Sequence, residues 1–256
     1  MLSELLADAL TDTRQRQLQR PLSVVEAAAL EMPPALDAIE LLGPADRVKI
    51  IAEVKRASPS RGELATIADP AALAVSYQTG GASAISVLTE SRRFNGSLAD
   101  LQAVSEAVSI PVLRKDFIAD RYQVFEARAA GADIVLLIVA ALDQATLLSL
   151  HQLATELGMA VLVETHSDDE LSRALDVGAN LIGVNARNLQ TFELDRGLFA
   201  KLADHIPSGI IRVAESAVRS PADVAQYRAA GADVVLVGEA LVTSDPISTL
   251  SEFLAV

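Results

Sequence analysis

The chain has 256 residues, of which 51% are hydrophobic and only 4% aromatic, so its core has to be built from Ala, Val, Leu and Ile, the composition of parallel strands wrapped by helices. With 21 Lys and Arg against 34 Asp and Glu the net charge is -13, which repels phosphate backbones and acidic membrane surfaces and sets aside nucleic acid and membrane as partners. There is no cysteine, hence neither a disulfide frame nor a thiolate metal site.

The N-terminus opens with acids among leucines at positions 2, 5, 6 and 10, the pattern of an amphipathic helix rather than of a basic export signal. Cytoplasm is the expected compartment. Residues 1–47 read as a helical extension interrupted by Pro21, Pro33-Pro34 and Gly43-Pro44, with no strand signal of their own. The longest apolar run, Ile134 to Leu142, is about half of the ~18 residues a spanning helix needs.

Beyond residue 47 short apolar runs alternate with helical segments. The runs are Val48–Val54, Ala84–Leu88, Pro111–Leu113, Ile134–Val139, Ala160–Val163, Leu181–Val184, Ile210–Val213 and Val234–Val237. Helices lead into strands through Gly81-Ala82-Ser83, Gly131-Ala132-Asp133, Gly178-Ala179-Asn180 and Gly231-Ala232-Asp233, at intervals of about 50 residues, the length of two βα units. Glycine suits the left-handed residue that closes a helix, and a short polar residue then opens the strand. Asp69, Ser97, Asp120, Asp143, Ser167, Asp195 and Ser220 stand where helix N-caps belong. The pattern predicts an α/β fold, a (β/α)8 TIM barrel spanning residues 1–256 as one domain, with residues 1–47 as its N-terminal helical extension. The alternative, an open doubly wound sheet, is disfavoured because no Gly-x-Gly-x-x-Gly follows a strand.

In a barrel the active site lies at the C-terminal strand ends, and alternate strands share a layer. The first run ends in Glu53 and Lys55, the third in Arg114-Lys115-Asp116, the fifth in Glu164, the sixth in Asn185 and Arg187, the seventh in Glu215-Ser216 and the eighth in Gly238. Glu53, Lys115, Glu164 and Glu215 are therefore expected to face one another. Simpler readings compete: Glu53 and Lys55 could form a structural ion pair, Lys115 could balance Asp116, and Ser58 and Ser60 could be turn hydroxyls around Pro59. His151 and His205 read as helix-surface groups; His166 lies in a βα loop within reach of a ligand, and no second His stands at metal-ligand spacing. No metal site is assigned. Ser97 is first an N-cap, and Phe94 and Asn95 are placed to cover a ligand from the second loop.

Barrels commonly hold phosphate between the loops after strands seven and eight. Here those loops contain Ser216 and Gly238, which suit an anion, and Glu239, which is expected to turn away; Lys55 supplies positive charge from the first strand. The residues by themselves point to a phosphorylated metabolite handled by Lys and Glu acid-base chemistry.

The words IIAEVKRASPSRG, ISVLTE, RFNGSLADL, PVLRKDFI, VLVETH, IGVNARNLQTFELD, VAESAV and LVGEAL, in this order and spacing, strongly resemble the indole-3-glycerol-phosphate synthase family of tryptophan biosynthesis. The resemblance runs from about Ile50 to Leu241 and implies a carboxy-lyase that closes the indole ring of 1-(2-carboxyphenylamino)-1-deoxyribulose 5-phosphate with loss of carbon dioxide and water, without a cofactor. Matched to the family, Lys115 is the general acid, its pKa expected to be lowered by burial and by Lys55. Glu164 is the general base, with Glu53 its partner in proton handling and Lys55 also catalytic. Asn185 and Arg187 match positions that bind substrate hydroxyls and steady Glu215. Ser58 matches a contact on the anthranilate side, Ser216 and Gly238 the phosphate end, and Phe94, Phe117 and Leu136 the walls around the aromatic ring. Leu189, Ala217, Leu236 and Glu239 complete the expected substrate contacts. Ala217 stands where the family usually has Gly, and still offers its amide if φ is negative; Glu239 stands where Ser is frequent. A monomer is expected, with a partner enzyme of the same pathway possible. The rival readings are an isomerase barrel of that pathway, which would want a cysteine this chain lacks, and a catalytically silent barrel that binds phosphometabolites.

Overall fold

A computed structural model describes residues 1–256. Eight strands close into a barrel: β1 (Lys49–Val54), β2 (Ala84–Leu88), β3 (Val112–Lys115), β4 (Ile134–Ile138), β5 (Ala160–Thr165), β6 (Leu181–Asn185), β7 (Ile211–Glu215) and β8 (Val234–Val237). Each is parallel to the next, and β8 pairs with β1 to complete the ring. Each strand overlaps one of the eight apolar runs. Three helices precede the barrel, α1 (Leu2–Gln19), α2 (Leu22–Leu30) and α3 (Ala38–Leu42). The rest follow the strands: α4 (Pro70–Thr79), α5 (Leu98–Ala107), α6 (Arg121–Ala129), α7 (Gln144–Glu156), α8 (Asp168–Asp176), α9 (Leu198–Ala203), α10 (Pro221–Ala229), α11 (Glu239–Val242) and α12 (Pro246–Leu254).

The repeated small-residue turns do what their chemistry requires. Gly81, Gly131, Gly178 and Gly231 have φ of 96°, 88°, 80° and 92°, a region that costs other residues about 1–2 kcal/mol. The acids behind two of them stitch neighbouring strands together, Asp133 accepting from Val112 N at 3.0 Å and Asp233 from Arg212 N at 2.9 Å. Asp69, Ser97, Asp120, Asp143, Ser167 and Ser220 all cap their helices with side-chain acceptors. Asp195 does not: α9 starts later, with Gly197 at its N-cap, and the Asp195 carboxylate instead accepts from Gly197 N at 2.9 Å within the preceding turn.

Strand alternation divides the apolar residues into two shells. Ile50, Ala52, Val135, Leu137, Val161 and Val163 face outward into a large core shared with the helices, whereas Ile51, Leu113, Ile134, Leu162, Leu181 and Val213 fill the barrel interior. Helix α3 seals the bottom, where Lys49 donates to Gly43 O at 2.5 Å. Helix α1 packs Leu2, Leu5 and Ala9 against the interior shell.

Helix α1 is pinned by charge as well. Arg114, fully buried on the outer face of β3, donates to Asp116 at 2.9 Å, Gln123 O at 2.7 Å, Thr89 at 3.2 Å and Glu126 at 3.3 Å. Glu126 in turn accepts two hydrogen bonds from Arg16 of α1, at 2.5 and 2.9 Å. Deleting one partner of such a buried network strands the others without compensation. Arg114→Leu is expected to lower the unfolding free energy by about 3–5 kcal/mol, read from the urea midpoint at an unchanged m value. A loss below about 1 kcal/mol would show that the network adds nothing to what packing supplies.

Candidate active site

The inner face of each odd-numbered strand carries an apolar residue below and an ionisable one above. Ile51 is followed by Glu53, Leu113 by Lys115, Leu162 by Glu164 and Val213 by Glu215, as a two-residue period demands. The even strands make room. A Cβ on Gly183 of β6 would collide with Glu215 Oε1, and one on Gly238, just past β8, would lie 2.5 Å from Glu53 Oε1 and 2.9 Å from Lys55 Nζ. Two glycines thus hollow out the space that a layer of charged side chains fills.

Within that layer Lys115 Nζ lies 3.2 Å from Glu164 and 3.3 Å from Glu215, and Lys55 Nζ lies 2.5 Å from Glu53. The four residues expected to face one another do so. Asp116 is not the partner of Lys115: it binds Arg114 and Thr89 on the other side of β3. Burial disfavours the Lys115 ammonium, but the charges of Glu164, Glu215 and Glu53 outweigh it and hold its pKa above the ordinary lysine value. The expected lowering is therefore corrected, because the surrounding carboxylates act more strongly than either burial or Lys55. The two carboxylates beside Lys115 part company. Burial raises both; for Glu164 the charges of Lys115 and His166 reverse this and carry it below the usual carboxylate range, whereas Glu215, facing the negative Glu164, is pushed up to about 8.

The cavity over this layer has two unlike ends. Phe94 and Phe117, with ring centroids 6.3 Å apart, form an apolar wall with Leu136. Leu5 of α1 and Ile138 extend it, and Leu189 and Leu236 also line the cavity. At the other end lie Ser216, Ala217, Gly238, Lys55, Arg187 and Arg219. Ser216 and Ala217 both have positive φ, 70° and 64°, so the condition of a negative φ set for Ala217 is not met; their strained backbone is the more telling for lacking glycine. The backbone N–H groups of Ala217 and Val218 donate to no other backbone group, as an anion-binding turn requires.

The remaining positions behave as follows. Asn185 accepts from Ser216 Oγ at 2.8 Å and from Arg187 N at 3.0 Å, while the Arg187 guanidinium donates to Phe192 O at 3.2 Å. Neither donates to Glu215, so the steadying of that carboxylate falls to Lys115 and not to them. Ser58 belongs to a short antiparallel hairpin, Ala57–Ser58 with Gly62–Glu63, and lines the cavity. Glu239 does not turn away. It lines the mouth, where Arg61 at the hairpin's tip grips its carboxylate and holds its pKa below the ordinary range. No group of three or more His, Asp or Glu side chains stands where it could hold a metal ion.

Comparison with known proteins decides the lineage. The model of the family "Indole-3-glycerol phosphate synthase" matches residues 2–252. The synthase of Leifsonia xyli subsp. xyli is 70% identical over 253 residues, 99% of this chain and 97% of its own. That of Parafrankia sp. is 58% identical over 246 residues, 96% of this chain and 91% of its own. The chain belongs to the indole-3-glycerol phosphate synthase family. Its members are carboxy-lyases of tryptophan biosynthesis, and no helix here is long and apolar enough to cross a membrane. A solved 3-hexulose-6-phosphate synthase from Salmonella typhimurium matches with a TM-score of 0.65 over 81% of this chain and 97% of its own, at 19% identity, a likeness of fold alone.

Several residues in this synthase cavity were not singled out by sequence reasoning. Leu88 and Ile138 lie two positions beyond Ser86 and Leu136 on the same strand faces, so strand alternation contained them. Arg219 stands just before the Ser220 cap, a signal that was visible. Leu5 was not legible, since only docking brings α1 to the cavity. The glycine that clears space for Glu215 gives a direct test: Gly183→Ala is expected to fold normally yet lower kcat by about 10²-fold, the cost of misplacing a reacting group by about 1 Å. Steady-state turnover within threefold of wild type would detach Glu215 from the reaction.

Proposed function

We propose that the indole-3-glycerol phosphate synthase reaction is run here by Lys115 as acid and Glu164 as base, with the substrate's phosphate at the Ser216 and Gly238 end and its aromatic ring against Phe94, Phe117 and Leu136. The observation that carries this reading is the Lys115 ammonium, flanked by Glu164 and Glu215 at 3.2 and 3.3 Å between an apolar and a cationic end of one cavity. A substrate with an aromatic ring at one end and a phosphate at the other fits that polarity in one orientation only.

In the first half-reaction the ring carbon bearing the carboxylate attacks the ketone carbon. The carbonyl oxygen gains negative charge, and Lys115, kept protonated by its carboxylates, neutralises it and delivers a proton. Loss of carbon dioxide then returns its bonding electrons to the ring. In the second half a proton must leave the new ring and the hydroxyl must depart as water. Glu164, kept ionised, takes the proton, and Lys55, held by Glu53 at 2.5 Å, is the acid positioned to protonate the leaving hydroxyl. Asn185 sets the Ser216 hydroxyl by a 2.8 Å hydrogen bond and so shapes the phosphate end, from which Arg187 reaches the substrate's hydroxyls, while Ser58 closes the cavity on the ring side. Leu189, Leu236 and Ala217 complete its walls, and Glu239 reaches the phosphate only through Arg61. The same reading has residues 1–256 working as one domain, in the cytoplasm and as a monomer, with a partner enzyme of the pathway able to dock.

Lys115→Met is expected to lower turnover by at least 10²-fold, since general acid catalysis contributes about 10²–10⁴. The assay is the fluorescence of the indole product from the carboxyphenylamino substrate without added metal, and turnover within tenfold of wild type would refute the acid role. Glu164→Gln is expected to close the ring but stall before dehydration. A single-turnover trace identical to wild type, with no accumulated intermediate, would remove Glu164 from the second half.

A further inference from the structure

The two carboxylates beside Lys115 sit at nearly equal distances from it, 3.2 Å for Glu164 and 3.3 Å for Glu215. Yet Lys115 hydrogen-bonds Glu164 and meets Glu215 only as an ion pair, so a first part of the asymmetry lies in the cation itself. A second part comes from behind. Past the end of β5 the ring of His166 folds back onto Glu164, its Nε2 3.4 Å from Glu164 Oε1 and its Nδ1 3.0 Å from Glu170 Oε2 in the first turn of α8. Glu164 Oε1 and His166 Nε2 face each other as an ion pair and have no hydrogen-bond partner, and both oxygens of Glu215 likewise lack one. His166 forms ion pairs with Glu164 and Glu170 but none with Glu215.

The ring is held firmly. Glu170 accepts the backbone N–H of His166 at 2.8 Å as well as facing its Nδ1, and Glu170 N itself donates to the Ser167 cap at 3.2 Å. Side-chain exposure rises along the row, 1% for Glu164, 12% for His166 and 19% for Glu170. The outer side of His166 lines a second cavity shared with Asn185, Glu193 and Asp195. Thus the groups around His166 are carboxylates from β5, from α8 and from the loop after β6, with Lys115 beyond Glu164.

We propose that His166 is the positioning residue that selects the base: its imidazolium, seated behind Glu164 and without a contact to Glu215, keeps Glu164 ionised and leaves the proton of the pair on Glu215. This rests on the assignment of Glu164 as the base. The electrostatics agree. Burial would lower the His166 pKa, but the close Glu164 and Glu170 carboxylates, the second hydrogen-bonded to Nδ1, raise it to about 10, so the ring is charged at neutral pH. Without that charge the pair would share its proton more evenly, and part of the enzyme would hold a protonated, idle Glu164.

His166→Gln, which keeps a polar side chain but no charge, is expected to lower kcat about tenfold with KM within twofold, and to move the acid limb of the kcat profile upward by about one pH unit. His166→Lys, which restores a cation, is expected to recover most of that shift. In the unmodified protein, ¹³C-labelled imidazole should show His166 still protonated at pH 8. Wild-type kcat and acid limb in His166→Gln would overturn the proposal, and so would an imidazole titrating near the ordinary value of about 6.5. The titration needs no variant, so it decides even if His166→Gln folds poorly. Glu164→Gln run alongside separates the two ideas: full turnover there would sink the base assignment, whereas a dead Glu164→Gln beside an unaffected His166→Gln would sink the role of His166 alone.

Discussion

One ammonium group holds the centre of this molecule together. Glu53, Glu164 and Glu215 project into the barrel mouth with side-chain exposures of 5%, 1% and 2%, where burying an ionised carboxylate costs several kcal/mol unless it is paired. Lys115 relieves that cost for two of them and Lys55 for the third. The arrangement is a compromise in electrostatics: three acids against two lysines leave a surplus of negative charge, and burial together with the facing Glu164 pushes the Glu215 pKa up in answer to it. A site of this kind is poised for proton movement because its protonation state is already divided between neighbours.

The barrel supplies what such a cluster needs. Each charged side chain stands one inward step above an apolar one, so Ile51, Leu113, Leu162 and Val213 form a dry floor under the charges. Gly183 and Gly238 provide the missing volume. Rigidity comes from outside the cavity, where Arg114 ties β3 to α6 and, through Glu126, to α1. Arg114 and Lys115 are neighbours that point to opposite faces of one strand, the first fixing the scaffold and the second placed among the carboxylates.

Strand number, strand order and the convergence of Glu53, Lys115, Glu164 and Glu215 were legible because they follow from two periodicities, two residues along a strand and about 50 along the chain. What was not legible depended on distances that no periodicity fixes. The sign of the Lys115 shift required counting carboxylates within reach of its Nζ. The Arg61 grip on Glu239 required knowing that the hairpin after β1 folds toward β8. Leu5 required the docking of α1, and Asp195 failed as a cap because the loop after β6 runs on to Gly197. The role of His166 in this pair was hidden for the same reason: its closeness to Glu164 in sequence says nothing of whether the ring turns toward the carboxylate or away.

A net charge of -13 looks ill suited to an anionic substrate, yet charge acts over short range here. At physiological ionic strength the Debye length is about 8 Å, so acids on the outer helices are largely screened from the cavity, while the half-buried Lys55 and Arg187 at its rim are screened less and the exposed Arg61 and Arg219 lie close enough to act. Lys55, Arg61, Arg187 and Arg219 all belong to that end of the molecule. Glu239 is the one acid among them, and its pairing with Arg61 cancels one charge of each sign. Lys55 keeps Glu53, leaving Arg187 and Arg219 as the rim cations without a carboxylate partner. On the proposed reading, a phosphate dianion arriving beside the amides of Ala217 and Val218 would meet a locally positive surface on an acidic protein, so the global charge need not govern what enters its mouth.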